Sequence, residues 1–497
     1  MSIGRDVASA MGRHAAAALA GLLTIPLIAR RLGVEGLGAW ALIGTASFLL
    51  GLSDLGLATA VHRAAALRAD PARARRVVGT AVLAILIVAP ILAGIAYPLL
   101  LDLPGTSGAL GRDMARAMLI AFPAGIAGAL GSPFRAFALV RGGIAGLARA
   151  RALASIAQVG VTAAGLRLAP TLLAPACGLL ASALIETAMT ARLARSIDPD
   201  LPLGPRLPAS RRELLSVLRD GAATLALNLA LMAGTRADLL ILSRVGSLSV
   251  VAAYSVAARA VEQSFTLAKQ TSTALVPRLG DPAARGHAVL MGTGMLGALV
   301  ASGMAALVTH GQALLALWAG PVARDPIAGR ALALLGLAAA LASVCELPAS
   351  ALTLGGRTAW AGAIPLGIGC LANLAISLVG APHCGVWAVA GGTVAGNLLG
   401  GTLAWICARR LLGWSAGTVG RAVLPAAVAG ATSLGAGAAL GHLLPLAVVS
   451  EVVLWAVSMA LGCGAAALLM ARTFYGACGR PRDDCTWGHR GTGSQGS

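Results

Sequence analysis

Arg259 and Glu262 stand three residues apart inside a long apolar run, a spacing that lets them pair on one helical face. Arg236 and Asp238 form a second close pair, and Asp54 lies in another apolar run with no base within a turn. A charge at mid-bilayer costs at least about 2.5–3.5 kcal/mol, so such residues normally face a cavity or a partner. An arginine fork donates bidentately to phosphate oxygens and keeps its charge, which suits it to a phosphate-bearing headgroup. The candidate substrate-binding cations are Arg259, Arg236, Lys269, Arg63 and Arg135; the candidate coupling or cavity carboxylates are Asp54, Asp238 and Glu262. Each has a plainer alternative. Arg259–Glu262 can be an intrahelical pair that only neutralises itself, and Arg236–Asp238 an interfacial pair reaching water. Arg63 can be a simple cytoplasmic anchor. Glu186, Glu346 and Glu451 also fall in apolar runs, and Glu186 and Glu346 can couple ions or satisfy neighbouring backbone and Ser groups. His14 and His310 fit structural hydrogen bonding better than proton relay.

Other pattern matches carry no chemistry. Gly413-Trp414-Ser415-Ala416-Gly417 fits G-x-S-x-G but lies in a short loop between apolar runs, without the strand that a nucleophile elbow needs. Gly292-Thr293-Gly294-Met295-Leu296-Gly297 fits G-x-G-x-x-G but lies inside an apolar run, where small residues serve helix packing. Asp198-Pro199-Asp200 resembles a metal-binding D-x-D, with no nucleotide-binding domain around it. Cys478, Cys485 and His489 are too few and too spread for zinc. No Walker A motif exists. The expectation is no catalytic residue, no cofactor and no metal.

Apolar runs must position these residues. The 497 residues are 58% hydrophobic and 11% charged, against about 25% charged in soluble domains. Mean hydropathy is +0.83. These values exclude a soluble enzyme. The net charge of +19 would suggest nucleic acid in a soluble chain. Aromatics at 3% are too few for base stacking, and in a chain of apolar runs basic excess marks cytoplasmic loops.

A membrane helix needs roughly 20 apolar residues, and about 14 such runs are present. The fifth (Leu147 to Leu168) and thirteenth (Val423 to Leu440) carry the weakest signal, which leaves open whether they span fully. Arginines concentrate in every second connection, as in Arg63, Arg68, Arg73, Arg75 and Arg76 or Arg206, Arg211, Arg212 and Arg219. That alternation predicts cytoplasmic termini. The first run is too long for a signal peptide and leads into a second span.

An internal repeat organises the runs. IARRLGVEGLGAW, ending at Trp40, aligns with LILSRVGSLSVVAAY, ending at Tyr254, after a one-residue gap. Each sits at the first hairpin of a six-helix set. The expected fold is an all-α polytopic membrane protein. Residues 1–196 and 213–411 would be two six-helix halves related by a pseudo-two-fold along the membrane normal. Residues 418–472 would be an extra helix pair and 473–497 a disordered cytoplasmic tail.

The stretch ending at Arg63 contains Arg30-Arg31-Leu32-Gly33, Gly38, then Asp54-Leu55-Gly56-Leu57. It resembles the N-terminal signature of the polysaccharide (O-antigen-type) flippases, within the multidrug/oligosaccharidyl-lipid/polysaccharide exporter superfamily. In the second half, Asp238 to Leu242 and Ala253 to Arg259 resemble the family's "D-x-x-ILG…YSVA-x-R", with Ser243 in place of its Gly. The resemblance implies a flippase that moves lipid-linked oligosaccharide of the polyprenyl diphosphate type across the bacterial inner membrane by alternating access. Membrane lipid and polysaccharide polymerase machinery would be its partners. A cation-coupled multidrug exporter of the same superfamily is the second reading. A membrane-embedded polymerase or ligase is a third, disfavoured by the lack of a large outer loop.

Overall fold

The computed structural model describes residues 3–66, 70–102, 108–208, 236–263, 282–354, 359–443 and 448–471, with isolated positions between 210 and 229. Lipid offers no partner for backbone N–H and C=O groups, so each apolar run must satisfy its own as helix. All regular structure among the described residues is helical.

α1 (Ile3–Leu50) holds the first run and the first part of the second, folded back at Gly33. Gly33 has φ 72°, a left-handed conformation open to glycine at little steric cost. The second run breaks again at a 3-10 turn, Gly51–Asp54, and resumes as α2 (Leu57–Ala66). Asp54 builds that break. One carboxylate oxygen accepts the Gly56 N–H at 2.9 Å, and the other accepts the Ser132 hydroxyl at 2.8 Å.

α3 (Pro71–Leu101) starts with Asp70 accepting the Arg73 N–H at 2.8 Å and Pro71 in the first turn. Its Ile91, Ile95 and Leu99, spaced by four, are each more than half exposed and form a lipid-facing stripe. α4 (Gly108–Leu130) with α5 (Ser132–Val140), α6 (Ile144–Leu168) and α7 (Leu173–Ile197) complete the first half. The second half comprises α8 (Ala237–Val245), α9 (residues 248–263), α10 (Pro282–Ala319), α11 (Pro326–Leu354), α12 (Ala359–Cys384) and α13 (Val386–Leu412). α14 (Ala416–Leu443) and α15 (Val448–Met470) follow. The fifth and thirteenth runs are thus full helices of 25 and 28 residues.

Ten stretches among the described residues are long and apolar enough to cross a membrane. The first two runs are the limbs of α1, and the seventh and eighth are described in part. The chain is a multi-pass membrane protein. The C-terminal residues 472–497 lie outside the described residues.

The halves repeat their packing. α4 and α6 both pack on α7; α11 and α12 both pack on α13. Close approach uses small residues, as membrane interfaces do. On α13, Gly392, Gly396 and Gly400 recur every four residues against α12, and a Cβ at Gly396 would run into the carbonyl oxygen of Gly369. α10 contacts α11, α14 and α15, and 83% of its most apolar window is buried. Between the halves, α1 meets α8, α10 and the 3-10 turn Gly320–Arg324.

Candidate functional site

A cavity of about 1060 Å³ lies between the halves. The first part of the second run lines it from Leu37 through Trp40, Gly44 and Phe48 to Asp54, and α2 adds His62. α8 and α9 close the opposite wall. At one end the backbones touch: a Cβ on Gly38 would overlap the carbonyl oxygen of Leu248 at the start of α9. Elsewhere between the halves, Trp318 donates its indole N–H to the carbonyl of Leu22 at 2.6 Å. At the arginine-rich end Gly56, with φ 72°, meets Gly221 so closely that a Cβ would overlap the Gly221 carbonyl oxygen.

Two charged clusters face this space. In the second-half wall, Arg236 donates to one Glu262 oxygen at 2.7 Å and Arg259 to the other at 3.4 Å. The Arg236 guanidinium also lies 4.8 Å from the centre of the Phe48 ring, across the cavity boundary between halves. Its Nε is buried without a hydrogen-bond partner among the described residues. Arg236 caps α8 ten residues before Gly246, about 15 Å of helix rise, or half the hydrocarbon thickness of about 30 Å. In the first-half wall, Glu186 lies between Arg151 at 2.5 Å and Arg135 at 3.6 Å. Arg135 donates as well to the carbonyl of Gly128 at 3.0 Å.

Of the cations expected from sequence, Arg259, Arg236 and Arg135 line the cavity, as do the carboxylates Asp54 and Glu262. Asp54 has both oxygens engaged in holding the helix break. Arg63 lies exposed on α2 and is not among the cavity residues. Lys269 lies outside the described residues. Arg151 and His62 were not among the expected site residues, and Glu186 was singled out only as an intramembrane carboxylate. The available signal for Arg151 was its position inside the Leu147 to Leu168 run.

Asp238 lies apart from the cavity lining, 3% exposed, while its neighbour Leu239 reaches it. Asp238 accepts the Tyr254 hydroxyl at 2.6 Å and the Thr393 hydroxyl at 3.0 Å, and Asn373 hydrogen-bonds the same carboxylate. Ser377 donates to Asn373 and the Val389 carbonyl lies beside both Ser377 and Thr393. All these donors are oxygen or amide groups, a set suited to a proton or a hard cation rather than a thiophilic metal. Among the described residues no three His, Cys, Asp or Glu converge as a metal site.

No protein-family model matches the sequence, and no curated protein does. Solved structures do match. The lipid II flippase MurJ in an inward closed conformation superposes with TM-score 0.68 at 12% identity, over 93% of this chain and 98% of that one. The chain shares the fold of that structure. The eukaryotic MATE transporter AtDTX14 gives 0.64 at 15% identity, over 85% and 98%. The Vibrio cholerae MATE transporter VcmN gives 0.60 at 14%, over 84% and 97%.

The D-x-D segment also has a place. Arg75 donates to both oxygens of Asp198, at 2.7 and 2.9 Å, and pairs with Asp200 at 2.9 Å, tying the start of α3 to the end of α7.

Proposed function

We propose that this chain is a flippase for lipid-linked oligosaccharide of the polyprenyl diphosphate type, acting by alternating access in the bacterial inner membrane with both termini cytoplasmic. The observation that carries the reading is the membrane-embedded cavity lined by Arg135, Arg151, Arg236 and Arg259. Stripping a sugar hydroxyl or phosphate of water without a partner costs roughly 2–7 kcal/mol or more, so an unaided headgroup does not cross. Guanidiniums replace water for the phosphates, and Ser, Gln and carboxylate groups do so for the sugar. The lipid tail stays in the bilayer beside α14 and α15, the extra pair beyond the halves at residues 1–196 and 213–411. In this reading Glu262 and Glu186 hold the arginines in place until phosphate displaces them. The chain carries out no chemical step, and Asp238 binds the coupling proton or cation.

The cation-coupled multidrug exporter remains the second reading, because MATE transporters share the fold. The four cavity guanidiniums against Asp54, Glu186 and Glu262 leave a positive excess, which favours an anionic substrate. The test is deletion of the gene followed by labelling of intact spheroplasts. Lipid-linked oligosaccharide should accumulate on the cytoplasmic face and clear on complementation. Normal outer-face delivery, with lost resistance to cationic drugs, would transfer the assignment to the exporter.

A further inference from the structure

Arg30, Arg31 and Arg167 stand at the arginine-poor end of the bundle, far from the loops where bases concentrate. Folding brings them to one pocket of about 220 Å³ where α1 packs on α6, floored by Leu27, Ala163 and Leu166. All three arginines are exposed, and none makes an ion pair among the described residues; Asp113 nearby is spent on the Leu172 N–H at 2.7 Å.

Below the arginines the surface turns apolar along both helices. On α1, Leu23 lies one turn below Leu27 and is 53% exposed. On α6, Ile156, Gly160, Ala163 and Arg167 recur at helical spacing on one face. Ile156 is 69% exposed, and a Cβ at Gly160 would meet open space. Two apolar tracks therefore rise through the hydrocarbon layer and end beneath three unpaired guanidiniums.

We propose that this groove binds the headgroup of an anionic phospholipid, with the phosphate among Arg30, Arg31 and Arg167 and an acyl chain along Leu23, Leu27 and the Gly160 gap. A phosphate diester offers oxygens to arginine forks while its chains need an apolar track, and the groove supplies both in that order from the membrane surface inward. The site lies in the first half, outside the cavity between the halves, so its failure would leave the transport reading untouched.

The test is native mass spectrometry of the full-length protein released from nanodiscs containing phosphatidylglycerol and phosphatidylcholine. The wild type retains one phosphatidylglycerol in preference to phosphatidylcholine. Each base near a membrane surface contributes roughly fivefold, so the triple variant R30Q/R31Q/R167Q loses retention on the order of a hundredfold. Leu27→Trp fills the floor without altering charge and also abolishes retention, which keeps the proposal falsifiable if the triple variant fails to fold. Equal retention of the two lipids, or undiminished retention in Leu27→Trp, overturns it. Displacement of the lipid by inorganic phosphate or by an equimolar polyprenyl diphosphate would instead reassign the groove to a soluble anion or to the transported lipid.

Discussion

Arg236 keeps a positive charge in the cavity wall through one carboxylate and one aromatic face. The 2.7 Å bond to Glu262 balances the charge, and the Phe48 ring stacks on the planar guanidinium. A lysine would keep the charge but lose the fork and the stacking surface. We expect Arg236→Lys to lower the transport rate in proteoliposomes at least about tenfold, in line with the loss of the planar guanidinium beside Phe48 and of its bond to Glu262. Wild-type rates in that variant would rule out the fork as the reason for arginine. Asp238 is a different kind of residue, because its partners are neutral groups that can also serve an amide. Asp238→Asn should fold and bind substrate but lose dependence on the driving ion gradient. Asp238→Ala should lower stability by about 1–3 kcal/mol, since it strands the buried hydroxyl of Tyr254. Thermal melts and gradient-jump transport assays read the two effects separately; retained coupling in Asp238→Asn would remove Asp238 from the coupling path.

At the scale of elements, the glycines at the two ends of the second run set how closely the halves meet. Gly38 and Gly56 each leave room that a Cβ would take from a carbonyl oxygen of the other half. Backbone cannot yield as a side-chain tip can, so Gly38→Val should hold the Leu248 end open. Cysteines introduced along the cavity should then label more readily from that side, and unchanged labelling would show that the end tolerates the added bulk. The connection between α7 and the second half answers to charge instead. The Arg75 guanidinium, bonded to both oxygens of Asp198, holds this carboxyl below its ordinary value of 3.8. A lowered folded pKa stabilises the protein fully above that ordinary value, and the gain disappears as pH falls towards the folded value. The difference in melting temperature between the wild type and Arg75→Gln should therefore be full at pH 5 and shrink below about pH 3.8. A difference independent of pH would mean that packing, rather than charge, ties α3 to α7.

The whole molecule depends on α10, which α14 and α15 cover. His310 on α10 meets Glu451 on α15 at 2.8 Å, and Ser433 on α14 donates to the carbonyl of Ser302 at 2.9 Å. These polar contacts sit inside an apolar surround, so removing the last two helices would bare them to lipid. A chain ending at residue 413 should fail to give a monodisperse species in detergent, although both six-helix sets are intact. A stable, transport-competent truncated form would show that the pair is an accessory. The repeat, by contrast, was legible locally: Gly33 and Gly246, aligned in sequence, both end the first helix of a half. The Arg259–Glu262 pair was legible too, because three residues on a helix fix its geometry. The shorter bond from Arg236 to Glu262 was not, since 26 residues and a hairpin intervene.

The sequence by itself determined how many runs cross the membrane, where they turn, and which end gathers arginine. Those are local properties, because lipid makes each segment satisfy its own backbone and bury its own apolar length. Only the tertiary structure decided which charges meet. Small-residue packing of helices brought Glu186 between Arg135 and Arg151, placed Thr393 on Asp238 across 155 residues, and gathered Arg30, Arg31 and Arg167 around one groove. Pairings of that kind depend on helix rotation and neighbour choice, which hydrophobicity along the chain leaves undetermined.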